Sequence, residues 1–197
     1  MEHVSLSLDQ VRAIKRHATR DAAYADRVSL GFAVALAQLG EALGEDLDVL
    51  HEIDTLEGLA SSSSTKESTQ FKHPPLHPFW HKHFSTARHL MRNMGDRWGL
   101  GKSGNRELSA MIERVAAECG DQPDLWPKRL VHQLVLGGLD DRAAARHMTG
   151  DWIIFAKHEG RNFYLSLGSH AEAARDSDAV YQRLRDGSEW EFPFLFA

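Results

Sequence analysis

Two eight-residue runs near the C-terminus constrain this chain more than any other feature. Asp151 to His158 (DWIIFAKH) and Arg161 to Gly168 (RNFYLSLG) are rich in β-branched and aromatic residues, and only Glu159-Gly160 separates them. A two-residue connection with glycine second, between two such runs, predicts a β-hairpin. In the second run Phe163, Leu165 and Leu167 alternate with Asn162, Tyr164 and Ser166. One face of the hairpin therefore needs a cover.

The rest of the chain supplies helices to cover it. Ser7-Leu8-Asp9-Gln10 is a capping box and opens a helix over about residues 7–20. Val28, Phe32, Leu36, Leu39 and Leu43 form one face of a second helix, over about 26–43, that stops at Gly44. A third covers about 46–59. The serine run Ser61 to Ser64 reads as a flexible linker by composition. After the proline-rich stretch from His73 to Pro78, the spacing of Trp80, Phe84, Ala87, Met91 and Met94 predicts a helix over 78–94. Pro78 would sit in its first turn and His77 at its cap. Further helices are expected at about 106–119, 124–136, 140–148 and 176–186, with a glycine-rich loop over 95–105. The apolar tail from Trp190 to Phe196 is expected to dock, as an edge strand if it pairs.

The expected fold class is α+β: a helical N-terminal region, then helices packed on a small antiparallel sheet with a C-terminal β-hairpin. The expected division is 1–60 helical region, 61–72 Ser-rich linker, and 73–197 catalytic domain.

Charge and cysteine usage narrow the function classes. Lys and Arg number 23 against 28 Asp and Glu, a net charge of −5, which argues against indiscriminate coating of nucleic acid. Cys119 is the single cysteine, so no internal disulfide forms. It ends an amphipathic helix on the expected buried face, where a thiol without a cationic neighbour is inert. No apolar run approaches the ~20 residues that span a bilayer, and no leader pattern opens the chain. A cytoplasmic protein with no membrane partner is expected.

Two motif-like strings fail on inspection. Gly101-Lys102-Ser103 resembles the end of a phosphate-binding loop, but the required earlier glycine position holds Asp96. His77-Pro78-Phe79 echoes the start of the adenylylating Fic motif, and the continuation Trp80-His81-Lys82-His83 departs from it.

Chemistry concentrates in two places. The first holds His73, His77, His81, His83 and His89, in a chain with 12 histidines. Imidazoles serve as acid–base groups or metal ligands. His81, Ser85 and Arg88 share the expected polar helix face, while His83 is expected on the apolar side. If the stretch binds metal, His73, His77, His81 and His83 are the ligands and zinc the ion; otherwise no cofactor is expected. No HExxH pattern is present. The second place is Lys157-His158 at the hairpin tip, with Tyr164, Ser166 and His170 on or after the returning strand. Phosphodiester cleavage without metal needs a base, an acid and a cation for the developing charge. Two histidines with Lys or Arg supply that set. The plainer alternative is a polar turn and structural histidines.

The block from His73 to Gly95, followed by Thr149 to Leu165 (TGDWIIFAKHEGRNFYL), resembles a group of uncharacterised bacterial and mobile-element proteins. In element order it also resembles the barnase–EndoU–colicin–RelE superfamily of small ribonucleases. The resemblance spans residues 73–197. It implies helices before a small antiparallel sheet and metal-independent RNA cleavage by scattered polar residues, here His81, Arg88, Lys157, His158, Tyr164, Ser166 and His170. RNA is then the expected partner, in a toxin-type ribonuclease. Two other readings stand beside it: a histidine-ligated metal-binding hydrolase, and a non-catalytic antitoxin, immunity or phage accessory protein that binds a protein partner through residues 1–60.

Overall fold

The computed structural model describes residues 5–86, 89–99, 105–120, 122, 124–138, 140–141 and 150–197. It divides into two compact units. Met1–Ser63, Glu67–Phe84 and Gly150–Ala197 form one, and Ser64–Lys66 with Ser85–Thr149 form the other. Among the described residues no helix is long and apolar enough to cross a membrane.

The first unit opens with α1 (Leu8–Ala18), α2 (Leu30–Leu43) and α3 (Asp46–Leu56). The first two starts have a local cause. The Ser7 hydroxyl accepts from the Gln10 backbone and the Gln10 side chain accepts from Ser7 N–H, the reciprocal capping box. The Ser29 hydroxyl caps α2 by accepting from Phe32 N–H, and Gly44 in the left-handed region closes it. Strands β1 (Thr69–Gln70), β2 (Trp80–Phe84), β3 (Asp151–His158) and β4 (Arg161–Gly168) form one antiparallel sheet in the order β1-β2-β3-β4. Helices α7 (His170–Arg175) and α8 (Ser177–Ser188) follow. The α+β class and the hairpin are as expected. The turn residues Glu159 and Gly160 have φ of 48° and 73°, which suits a connection whose twist matches the strands.

Both sheet faces are covered. On one, Phe84, Ile153, Phe155 and Tyr164 pack against Phe32, Leu36, Val49 and Ile53 of α2 and α3. On the other, Trp152, Ile154, Ala156 and Leu165 pack against Val180 and Leu184 of α8, with Leu76, Phe79 and Phe192. Helices α2 and α8 approach closely at Gly31 and Gly187, where a Cβ on Gly31 would lie 3.0 Å from the Gly187 Cα. The N-terminal helices thus belong with the sheet rather than beyond a linker, because the apolar faces of α2 and α3 need a partner and the sheet is that partner. Within the expected linker, the Ser63 hydroxyl is buried, 2.7 and 2.9 Å from the Glu52 carboxylate oxygens.

The second unit contains α4 (Leu90–Trp98), α5 (Arg106–Cys119) and α6 (Trp126–His132), which runs into a π-helical turn at Gln133–Gly137. Trp98, Met111, Val115 and Cys119 form its core, with Leu108, Ile112, Trp126, Leu130 and Leu134 around it. The Trp98 indole N–H donates to the Leu134 carbonyl at 2.7 Å.

The largest departure is at residues 78–94. The first part of the expected helix is a strand, Trp80–Phe84, and its last part, from Leu90, belongs to α4. Trp80 and Phe84 are four apart, a separation that falls on one side of a strand as well as of a helix. Pairing with β3 decides between them: His81 faces Ile154 and His83 faces Trp152 in register. His77 therefore caps nothing. Ala87 and the Gly101-Lys102-Ser103 string lie outside the described residues, as does most of the helix expected over 140–148. The tail forms a short 3-10 turn at Pro193–Leu195 instead of an edge strand.

Candidate functional site

Strand alternation sorts the residues of β2. Trp80, Lys82 and Phe84 turn toward α1–α3, and His81 and His83 turn to the opposite face. His83 was expected on the apolar side of a helix; as a strand residue two positions from His81, it shares His81's face. The third imidazole comes from the start of α7. Gly168 pairs with Trp152 in the sheet, and Ser169 then caps α7 through a capping box with Glu172. That cap sets the corner between β4 and α7 and delivers His170 to Trp152.

The three rings gather around the indole. His81 lies 4.9 Å from Trp152 between centroids, His170 4.3 Å and His83 6.3 Å. His81 and His83 are 5.6 Å apart edge to face, and His83 stacks on His170 at 5.2 Å with planes 26° apart. Phe71 closes the group, 4.6 Å from His81 and 5.3 Å from Trp152. His83 is buried, His81 half-buried and His170 exposed, so the cluster grades from core to surface.

Proton positions follow from the contacts. His83 Nδ1 is 3.3 Å from the Gly150 carbonyl. A carbonyl only accepts, so Nδ1 carries the proton, and in the neutral ring Nε2 holds the lone pair. Burial pushes the His81 pKa down to about 4, with the positive charge of His170 acting in the same direction. His81 is neutral at pH 7. Its Nδ1 and the Trp152 Nε1 are both buried without a hydrogen-bond partner among the described residues. Each such group costs about 1–3 kcal/mol where it stands.

The other expected site residues, where described, do not join this group. Lys157 points to the opposite face, with Nζ 3.8 Å from the centroid of the Trp80 ring. His158 shares the face of His81 but lies four residues along β3 from Ile154, roughly 13 Å away at the usual strand rise. Its ring packs on Phe194 at 4.6 Å. Tyr164 is fully buried on the helical face and donates to Glu57 at 2.6 Å. Burial, reinforced by that carboxylate, pushes its hydroxyl pKa up, the reverse of what an acid–base role at neutral pH needs. Burial pushes the Glu57 carboxyl up, but its hydrogen bonds from Arg27, Tyr164 and Asn162 outweigh burial and hold it below the usual range. This is a structural network. Ser166 donates to the Leu167 carbonyl at 2.9 Å. Arg88 lies outside the described residues. His73 and His77 are exposed on the β1–β2 loop. Among the described residues no three His, Cys, Asp or Glu side chains are placed to hold a metal ion, so His73, His77, His81 and His83 form no ligand cage.

Of the residues the sequence singles out for acid–base chemistry, His81 and His170 are the two that the fold brings together. His83 entered only as a metal ligand, and Trp152 was not among the candidates. The alternation Trp80-His81-Lys82-His83-Phe84, read with a period of two, was the signal that placed both histidines together. No protein-family model, curated protein or solved structure matches the chain.

Chemically, a neutral imidazole beside an exposed one can supply a base and an acid, since paired titratable groups in unlike environments can divide those roles.

Proposed function

We propose that the His81–His83–His170 cluster is an acid–base site that cleaves RNA. The observation that carries this reading is the convergence of three imidazoles on Trp152, with His81 held neutral beside the exposed His170. His81 takes the proton of a ribose 2′-hydroxyl as its oxygen attacks the adjacent phosphorus. The bond from phosphorus to the 5′-oxygen breaks, and protonated His170 gives its proton to that leaving oxygen. The products are a 2′,3′-cyclic phosphate and a 5′-hydroxyl end. A second proton transfer returns both rings to their starting states when water opens the cyclic product. His83, oriented by the Gly150 carbonyl and stacked on His170, holds the acid in place. An anionic phosphate beside the rings raises the proton affinity of His81 toward the useful range.

The test is cleavage of unstructured RNA in excess chelator, followed by analysis of the ends. Cyclic phosphate ends are expected. His81→Ala and His170→Ala should each lower kcat by about 10²–10⁴, the usual contribution of a positioned acid or base. His158→Ala should cleave like the wild type. An intact RNA pool, or wild-type rates in both His81→Ala and His170→Ala, would end the proposal.

A further inference from the structure

The loop between β1 and β2 carries groups that this acid–base step does not use. Its backbone is closed on itself. Phe71 N–H donates to the Phe79 carbonyl at 2.9 Å, His77 N–H to His73 at 3.0 Å, and Phe79 N–H to Leu76 at 2.9 Å. The Gln70 side-chain amide donates to the Pro78 carbonyl at 2.9 Å. Leu76 and Phe79 are buried, 4% and 2% exposed, in the core on the histidine face of the sheet. The loop is therefore fixed from within, and Lys72, His73 and His77 are exposed on it. Among the described residues, none of these three side chains has a hydrogen bond or an ion pair.

The local charge runs against the global one. The chain carries a net −5, yet no Asp or Glu occurs between Glu67 and Asp96. Phe71 stands at the point where this basic loop meets the histidine cluster. It is half-buried, and its ring lies 4.6 Å from His81 with the planes 33° apart. An aromatic ring followed by uncompensated donors is the combination that binds single-stranded nucleic acid: the ring stacks a base and the donors follow the phosphates. A duplex hides its base faces from such a ring.

We infer that Phe71, Lys72, His73 and His77 form a track for single-stranded RNA leading into the His81 cluster. A base flanking the scissile phosphate stacks at Phe71, and the neighbouring phosphates lie along Lys72, His73 and His77. This rests on the ribonuclease reading for its substrate and adds that the substrate is unpaired.

The experiment separates binding from cleavage. The probe is a fluorescent 2′-O-methyl RNA of about twelve nucleotides, within the site sizes usual for single-strand binders. It has no free 2′-hydroxyl to attack. Anisotropy is measured with the full chain against the probe as a single strand and as a duplex. The single strand should bind at least about tenfold tighter. Phe71→Leu, which keeps an apolar side chain in the core, should weaken single-strand binding by about fivefold or more. Lys72→Ala, at an exposed position, should weaken it and lower the salt slope by about one. Duplex bound as tightly as the single strand overturns the track, as does an affinity unmoved by Phe71→Leu. A loss in Lys72→Ala alone marks a plain polyanion patch and overturns it too. Cleavage of unmodified RNA is followed in parallel. If the wild type binds with this Phe71 dependence but does not cleave, the catalytic reading fails and the track stands. If it cleaves with KM unchanged in Phe71→Leu and Lys72→Ala, the track fails alone.

Discussion

An imidazole and an indole that touch, each with a buried nitrogen lacking a partner among the described residues, are not what folding alone favours. His81 weakens the fold where it stands, and an apolar ring of similar shape should not. His81→Phe is therefore expected to match or exceed wild-type stability at pH 7 while losing the proposed RNA cleavage. The pH dependence has a definite sign. The pKa of His81 is about 4 in the fold against 6.5 for the free side chain. Between those values the unfolded chain binds the proton and the folded chain does not. Stability is full above pH 6.5 and is lost as pH falls toward 4. At pH 5 the loss is about 1 kcal/mol, after discounting for solvent around a half-buried ring. Urea unfolding at pH 7 and pH 5 should show this difference for the wild type and a smaller one for His81→Phe. An equal difference in both proteins would show that His81 is not the group responsible.

At the scale of elements, β2 is held from both sides, and its helical side contains a charge. Lys82 and Glu52 are 2% and 4% exposed, with Lys82 Nζ 3.1 Å from Glu52 and 3.0 Å from the Ser63 hydroxyl. The pair links the middle of β2 to α3. Removing one partner leaves a buried charge, a change that costs about 3–5 kcal/mol, whereas replacing both removes that penalty. Lys82→Met should therefore be strongly destabilised, and Lys82→Met with Glu52→Gln should recover most of the loss, the new amide still facing Ser63. Chemical denaturation of the three proteins checks this; a Lys82→Met protein within about 1 kcal/mol of wild type would mean that the pair contributes little. The same strand shows what sequence could and could not convey. Helix α1 and the β3–β4 hairpin were legible because their signals are local: a capping box in one, two β-runs around Glu159-Gly160 in the other. Strand β2 was not. Trp-His-Lys-His-Phe has no β-branched residue, and its Trp80–Phe84 spacing satisfies either period. Its longer partner, β3, lies more than sixty residues further along the chain. With β2 read as helix, His83 was turned to the wrong side, and nothing local decided whether His81 or His158 lies beside His170.

For the whole molecule, the division into two units bears on where the chemistry resides. The three imidazoles, Trp152 and Phe71 all belong to the unit that contains the sheet. The second unit, apart from Ser64–Lys66, runs from Ser85 to Thr149, between β2 and β3. Those strands are antiparallel neighbours, and Phe84 is paired with Asp151 at the point where the chain leaves one and enters the other. Paired residues in antiparallel strands are about 5 Å apart, a gap that a two-residue turn closes. The sheet-containing unit also has two apolar clusters of its own, one on each face. A chain with residues 85–150 replaced by Asn-Gly is therefore expected to fold cooperatively, with the β2–β3 pairing completed as a hairpin. Its amide protons in β2, β3 and β4 should remain slow to exchange, and its stability should still fall between pH 6.5 and 4, since His81 keeps its neighbours Phe71, Trp152 and His170. The glycine of the new turn stands directly before Asp151, where Gly150 stood, so a carbonyl remains for His83 Nδ1 and the His83 ring resonances should change little. Rapid exchange throughout the sheet would show that the first unit depends on the second for its fold. Slow exchange with a strongly altered His83 would show that the turn glycine does not replace the Gly150 hydrogen bond.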